Sequence, residues 1–378
     1  MKFSTRFASL FLPLAFSAVA LTAHADEQIF RQYESVRDYG MGGLKITTGL
    51  YDDNFFGNPA RATANPVWRF TIFDPAVMVD NHFVSNVNSF GSGGGQLVQN
   101  VADTAGENNH LRVQTTMPAW YLPPSETRRW AVAFAIITSS QTDLSIRQNY
   151  SISDDAIIDI GPAFTYAYQL LPDRSWSVGA TAHLSYRLAT NQPYTIADLL
   201  DGKSFSLHEI GQQGTTEDFD LGTTKVFPWH PMGIEFTAAA AINNVLGGNY
   251  NSDLVHVIDN IGTNPLPANR SFGFGVSAKR DIGYFFHDVI VGVEAYDIGN
   301  NTNGSLFRTI HMGVESRILK ILRPRLGINQ GYLTAGAGID LKLLEIEAAT
   351  WGEELSLNPG GLQDRRYGIR VALQLEKL

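Results

Sequence analysis

Polar and apolar positions alternate with a period of two through most of the chain beyond residue 109, most cleanly at its end and near its middle. From Arg366, one face carries Tyr367, Ile369, Val371, Leu373 and Leu375, and the other carries Arg366, Gly368, Arg370, Ala372, Gln374 and Glu376. This is the period of a strand with one apolar and one polar face. Residues 175–188 repeat it, with Trp176, Val178, Ala180, Ala182, Leu184, Tyr186 and Leu188 set against Ser175, Ser177, Gly179, Thr181, His183, Ser185 and Arg187. The first set suits lipid and the second a wet lumen. In 305–318 the same sorting puts Leu306, Ile310, Met312, Val314 and Ile318 outside and His311, Glu315 and Arg317 inside, with Arg308 the exception.

Further alternating segments span 110–121, 129–139, 156–170, 218–227, 232–246, 270–280, 286–298, 323–332, 333–342, 343–352 and 366–377. Most reach the roughly 9–11 residues that a membrane-crossing strand needs. With a first strand at Val67–Asp74 the number is close to fourteen, and bacterial barrels use even numbers. Residues 75–109, with Gly91, Gly93, Gly94 and Gly95 among Asn, Ser and Asp, predict a loop with a short helix. Longer excursions at 189–217 and 247–269 alternate with tight turns such as Pro172-Asp173-Arg174. In the first of these, Ile196 to Leu200 reads as helical and Gly211 to Thr216 as a flexible turn. The predicted fold class is all-β: a transmembrane antiparallel β-barrel of about 14 strands. A soluble exported β-protein is the competing reading, and the number of long alternating segments argues against it.

At the N-terminus, Lys2 and Arg6 precede an apolar run from Leu10 to Leu21 that ends in Ala23-His24-Ala25, the pattern of a signal peptide cleaved after Ala25. Removing residues 1–25 leaves 28 − 2 = 26 basic and 37 acidic residues, a net charge of −11. That sign excludes a nucleic-acid binder. The chain has no cysteine, and a closed barrel does without disulfides because every strand is paired on both sides. The predicted organisation is a signal peptide at 1–25, a segment at 26–66 that is not strand-like, and a barrel at 67–378.

Several stretches carry a family resemblance. They are Arg366-Tyr367-Gly368-Ile369-Arg370-Val371-Ala372-Leu373, with Leu378 where an aromatic is usual; Gly327-Ile328-Asn329-Gln330-Gly331-Tyr332; Thr350-Trp351-Gly352-Glu353-Glu354; and Asp364-Arg365-Arg366-Tyr367. Together they resemble the superfamily of FadL-type long-chain fatty-acid transporters, their PorV-type relatives and the conjugation-associated TraF-annotated proteins. The resemblance implies a 14-stranded outer-membrane barrel of a Gram-negative bacterium, with lipid, lipopolysaccharide and the barrel-insertion machinery as partners. It also implies that residues 26–66 fold into the lumen as a hatch, a disordered leader being the alternative. The hatch and ligand path would then involve Gly40, Met41, Gly42 and Gly43, Asp52 and Asp53, and Asn58 and Pro59.

Gly161-Pro162 falls within an alternating segment. Proline cannot donate to a ladder, so the pair marks either a kink that opens a gap in the wall or a turn at the rim. His183 and Ser185 imitate the His-x-Ser pair of some outer-membrane esterases. A nucleophile also needs an orienting partner and an oxyanion site, and the sequence shows only the serine and a base, so lumen-facing polar filler is the expected role. No two of the histidines stand at short metal-ligand spacing, and Asp52-Asp53-Asn54 lacks the ligand pattern of a calcium loop. Gly273-x-Gly275-x-x-Ala278 lies in a strand with no helix after it, so it is not a dinucleotide turn. No catalytic residue, metal or cofactor is expected. Trp68, Trp120, Trp130, Trp176, Trp229 and Trp351, with Tyr121, Tyr186 and Tyr332, fall near strand ends where aromatic girdles sit. Lumen charges such as Arg308, Glu315, Arg317, Glu345, Glu347 and Arg370 are expected to pair across strands.

The function expected from the resemblance is passive uptake of small hydrophobic compounds such as fatty acids. The alternative is an interaction barrel that holds a protein partner, favoured by inward faces that read as mainly polar.

Overall fold

The computed structural model describes residues 29–90, 106–146, 151–195, 211–229, 232–251, 264–300 and 304–376. The expected signal peptide at 1–25, Gly91 to Gly95, Ile196 to Leu200 and Leu378 lie outside them. Sixteen strand segments follow one another: β1 Arg69–Phe73, β2 Ala76–Asp80, β3 Asn108–Thr115, β4 Ala119–Leu122, β5 Trp130–Ile146, β6 Ser151–Gln169, β7 Trp176–Thr195, β8 Gln212–Trp229, β9 Ile234–Asn243, β10 Ser271–Arg280, β11 Phe286–Ile298, β12 Ile310–Ile318, β13 Leu322–Asn329, β14 Tyr332–Asp340, β15 Leu344–Glu354 and β16 Gln363–Glu376.

The sheet is antiparallel and closes on itself, with β16 pairing both to β1 (Phe70 opposite Leu375) and to β2 (Val77 opposite Ile369). Likewise β3 and β4 both pair with β5. Each couple is one interrupted stave, so 16 − 2 = 14 staves ring the barrel. The interruptions fall at Asp74-Pro75 and Thr116-Met117-Pro118, where proline removes a ladder donor. Asp74 repairs the defect: its carboxylate accepts the Thr116 N–H at 2.8 Å, the Thr116 hydroxyl at 2.5 Å and the Thr115 hydroxyl at 2.7 Å.

Side chains alternate as the sequence implies. Trp176, Leu184, Tyr367, Ile369, Leu373 and Leu375 point outward, while Thr181, His183, Arg187, Arg366, Arg370 and Gln374 are buried inward. A closed ladder with an apolar belt is the strand solution to crossing a membrane, because no backbone group is left unpaired in lipid. The long connections gather at one end, which also holds the two-residue turn Gln330-Gly331, and the other end carries short turns. In outer-membrane barrels these are the outer and periplasmic ends respectively.

The structure corrects several expectations. Part of the predicted 75–109 loop, Ala76–Asp80, is strand, and the helix α3 is Asn81–Phe90. Gln212–Thr216 is the start of β8 rather than a turn, because its pairing with β7 continues outward to Ala189 opposite Gln212. Residues Leu306–Thr309 form a 3-10 turn, and the strand begins at Ile310. Trp351 and Tyr121 are not in a girdle: both are buried on the inner face, and Trp351 stacks on Tyr39 at 4.1 Å.

Residues 29–66 lie inside the ring of strands. They form helices α1 Val36–Gly40 and α2 Asp53–Phe56 and a 3-10 turn at Pro59–Ala64. Ser35 caps α1 by accepting the Asp38 N–H at 3.1 Å. Wall residues on opposite sides hold the segment: Arg112 on β3 donates to Arg31 O at 2.9 Å, and Arg31 donates to Asp297 on β11 at 2.7 Å.

Candidate functional site

The interior surface between residues 29–66 and the wall is the candidate site. Four kinds of contact build it.

The first is backbone on backbone. Gly42 adopts φ +73°, and a Cβ there would meet Met312 O at 2.1 Å and Ile328 N at 2.7 Å. The wall reciprocates: a Cβ on Gly313 would meet Met41 O at 2.1 Å, and one on Gly327 would meet Gly42 N at 2.6 Å. Gly40 sits against Gly336 in the same way, and Thr334 donates to Gly40 O at 3.2 Å. Gly40, Met41, Gly42 and Gly43 are thus seated flush on β12–β14, leaving no room for a ligand between them and the wall.

The second is recognition of inner-segment backbone and turns. Glu294 on β11 accepts the N–H groups of Lys45, Ile46 and Thr47 at 2.8, 2.8 and 2.7 Å. Asn58 donates to Ile46 O at 2.9 Å and to Thr223 O on β8 at 3.2 Å, while its own oxygen accepts the Ala60 N–H. Pro59 begins the 3-10 turn and rests on Gly179, where a Cβ would approach Pro59 C to 2.6 Å.

The third is a ring of buried ion pairs. Asp53 binds Arg37 (2.9 Å), Arg37 binds Glu315 (3.0 Å), Glu315 binds Arg325 (2.6 Å) and Arg325 binds Glu347 (2.8 Å). Glu347 then binds Arg370 (3.4 Å), which reaches Asp74 (3.1 Å) and Asp52 (3.6 Å). Asp52 and Asp53, adjacent in sequence, close the two ends of this chain of charges. Asp52 meets the wall directly at Arg370, whereas Asp53 binds Arg37 and the Leu50 N–H within the inner segment, and Arg37 carries the link to Glu315 of the wall. Tyr33 also donates to Asp52 at 2.5 Å. Burial pushes the Asp52 carboxyl up to about 7 against the pull of Arg370, with Asp53 and Asp74 adding to the rise. Burial likewise holds the Asp38 carboxyl well above the usual range. Elsewhere Glu345 pairs with Arg69 and Arg323, and Arg317 with Asp288. Arg308 is buried and donates to Glu354 O. Glu315, Arg317, Glu345, Glu347 and Arg370 therefore pair across strands, while Arg308, on the 3-10 turn, binds a backbone carbonyl.

The fourth is apolar. Tyr33, Tyr51 and Phe55 of the inner segment pack on Ala119, Tyr121, Ala133, Ala135, Ile137 and Ala163 of β4–β6, with Leu50 and Phe56 at the edge. Tyr51 meets Tyr121 edge-on at 5.3 Å. Small side chains on the wall leave a slot into which the inner segment inserts aromatic rings. This slot escaped the sequence reading, although Ala131, Ala133, Ala135 and Ile137 in alternation with Val132, Phe134 and Ile136 mark a strand apolar on both faces.

Gly161 and Pro162 border the slot. The strand β6 runs through them, so they are not a rim turn. They pair with Ile137 and Ile136 of β5, but pairing with β7 stops at Ile160 opposite Tyr186 and resumes at Ala163 opposite His183. The interruption is packed shut: a Cβ on Gly161 would lie 1.7 Å from Leu184 O. Behind it lies a cavity of about 10 Å³ bounded by Phe56, Pro162, His183 and Ser185, room for about one water. His183 faces Asp220 at 3.6 Å and the edge of Phe56, with no hydrogen bond to Ser185.

Both ends of the interior are shaped by the same segment. At the long-loop end, Asp218 accepts the Leu246 and Gly248 N–H groups and draws the chain after β9 inward. There Arg187, paired with Asp159 at 2.7 Å, lies between the rings of Phe30 (4.6 Å) and Tyr250 (4.3 Å). At the short-turn end a polar cavity of about 400 Å³ separates Thr47 and Arg61 from Glu235, Lys279, Asp288 and Arg317.

No family model and no curated protein matches the sequence. Among solved structures, the chain is similar to the Ralstonia pickettii toluene transporter TbuX, with a TM-score of 0.53 at 12% identity, covering 92% of this chain and 99% of that one. It is also similar to the CymD monoaromatic hydrocarbon channel, with a TM-score of 0.51 at 12% identity, covering 90% of this chain and 96% of that one. The fold is therefore that of the FadL-type outer-membrane barrel.

Proposed function

We propose that this protein is a passive outer-membrane route for small hydrophobic compounds, and that residues 29–66 act as its hatch. The observation that carries the reading is the apolar slot on β4–β6, which ends at the interrupted pairing beside Gly161-Pro162. The inward faces legible in sequence are polar, which spoke against a hydrophobic path. The slot supplies the missing apolar surface. When Phe55 and Phe56 withdraw, a path lined by Ala119, Ala133, Ala135 and Ile137 leads from the lumen towards the wall. The close approach of Gly161 to Leu184 O would then be the barrier between a ligand and lipid. The likeness to TbuX and CymD, described as a toluene transporter and a monoaromatic hydrocarbon channel, supports compounds of that size class. The transfer needs no energy source if ligand is consumed on the inner side.

The test is equilibrium binding of radiolabelled toluene and, separately, a long-chain fatty acid to the folded, detergent-purified protein, beside the variant Ile137→Arg. Saturable binding that the variant loses supports the slot, and the preferred ligand fixes the size class. Absence of saturable binding for both compounds overturns the proposal.

A further inference from the structure

Three consecutive short turns on one side of the barrel expose apolar residues. The first also carries charge at its start, where Arg280 and Asp281 are exposed and Asp281 accepts the Gly283 N–H. The β10–β11 turn exposes Ile282 (61%) and Tyr284 (91%), the β12–β13 turn exposes Leu319 (60%), and the β14–β15 turn exposes Leu341 (52%) and Leu343 (60%). The last two turns have the same wording, Leu319-Lys320-Ile321-Leu322 and Leu341-Lys342-Leu343-Leu344. In both, the lysine takes the left-handed conformation, φ +64° and +68°, where glycine or asparagine is the easier choice. The opposite side of the same rim is more polar, although Leu170 is exposed (41%) where the β6–β7 turn begins. There Glu126, Arg128, Arg129, Asp173 and Arg174 form the turns, and Arg174 donates to Glu126 O across them.

Strand length differs in the same sense. β5 to β8 have 17, 19, 20 and 18 residues, whereas β10 to β15 have 10, 13, 9, 8, 9 and 11, shortest at β12 to β14. At about 3.4 Å per residue and a tilt near 40°, eight residues cover roughly 20 Å of membrane normal, short of an apolar band about 25 Å tall. The deficit is made up if the apolar turns themselves enter the membrane, continuing the belt of Val291, Leu326 and Ile339 directly above them. A lysine at each tip then reaches out to the headgroups while its stem stays in the apolar zone.

We propose that the β10–β15 side of the short-turn rim is immersed in the periplasmic leaflet, with Lys320 and Lys342 holding anionic phospholipid headgroups. Phospholipid is the occupant because the patch is continuous with the lipid-facing belt and carries cations at its aqueous edge. The opposite rim, more polar and tied to itself, stays in water.

The absence of native cysteine allows clean single-site labelling. Leu319→Cys, Leu341→Cys, Glu126→Cys and Asp173→Cys, each carrying a bimane fluorophore, are reconstituted in phosphatidylethanolamine–phosphatidylglycerol vesicles, and folding is checked by heat-shifted electrophoretic mobility. Labels at 319 and 341 should be quenched by lipids bearing an acyl-chain nitroxide and shielded from iodide, with 126 and 173 the reverse. Nitroxide-labelled phosphatidylglycerol should quench position 341 more than the phosphatidylcholine analogue, and Lys320→Glu with Lys342→Glu should abolish that excess, about fivefold per lysine near an anionic surface. Iodide access at 319 and 341 equal to that at 126 and 173 overturns the immersion. Equal quenching by both headgroups, unchanged in the lysine variants, overturns the headgroup assignment.

Discussion

Thr47 is held twice by Glu294: its N–H and its hydroxyl both donate to the same carboxylate oxygen, at 2.7 and 2.6 Å. The other oxygen takes the N–H groups of Lys45 and Ile46. A single wall side chain thus satisfies three successive buried backbone donors. Glu294→Ala would strand them, at about 1–3 kcal/mol each. We expect amide exchange at residues 45–48 to rise by at least an order of magnitude with the barrel strands unchanged, read by hydrogen exchange with mass spectrometry. Unaltered exchange there would show that the carboxylate is dispensable to the seating of the inner segment.

Gly222 on β8 faces Asn58 so closely that a Cβ would lie 2.0 Å from its side-chain oxygen. The Gly222→Ala variant should push Asn58 off Thr223 and Thr224, at about 1–3 kcal/mol of overpacking. If the inner segment blocks the lumen, single-channel conductance in planar bilayers should increase or flicker, whereas an alanine at the exposed turn residue Glu126 should do nothing.

The Asp52 carboxyl, raised to about 7 chiefly by burial, is protonated in the folded protein over a range where the unfolded chain, titrating near 4, has lost its proton. The folded state then binds more protons, so stability falls as pH rises from about 4 to about 7 and is level above. Protease resistance of the inner segment should decline over that window. The Asp52→Asn variant should remove this part of the pH dependence, and an identical profile in both proteins would assign it elsewhere.

Arg187 joins the start of the inner segment to the chain after β9, lying between Phe30 and Tyr250. Arg187→Met keeps the bulk but leaves Asp159 without its partner, a loss of about 3–5 kcal/mol for a broken buried pair. Both Phe30 and Tyr250 should become accessible together, measurable as correlated increases in exchange at 29–33 and 248–251. Loosening of one alone would show that the two ends are held independently.

Gly161→Ala tests the wall. Its Cβ would have to displace Leu184 O, so β6 and β7 must part locally. Increased exchange at 183–186 without loss of the barrel is the expected result, and a variant that fails to fold would show the close approach to be required for closure.

The sequence by itself determined the membrane-crossing barrel, because period-two alternation is a local property and each strand declares its lipid face in its own residues. Trp176 to Leu188 and Tyr367 to Leu375 were legible in this way, as was the number of staves. The interruption at Asp74-Pro75 was not, since β2 is too short to show a period and exists only because β16 and β3 flank it. Tertiary structure alone decided the interior. Asp52 and Asp53 read in sequence only as part of a hatch, and the arginines that hold them, Arg370 and Arg37, are brought beside them by the fold. Gly40 to Gly43 and Gly313, Gly327 and Gly336 lie some 270 to 300 positions apart in the chain and acquire meaning only when backbone meets backbone. Trp351 reads as a girdle residue and proves to be the platform for Tyr39. Strand alternation fixes which side chains face the lumen, but what they meet there depends on a segment whose own sequence has no strand period to declare its place.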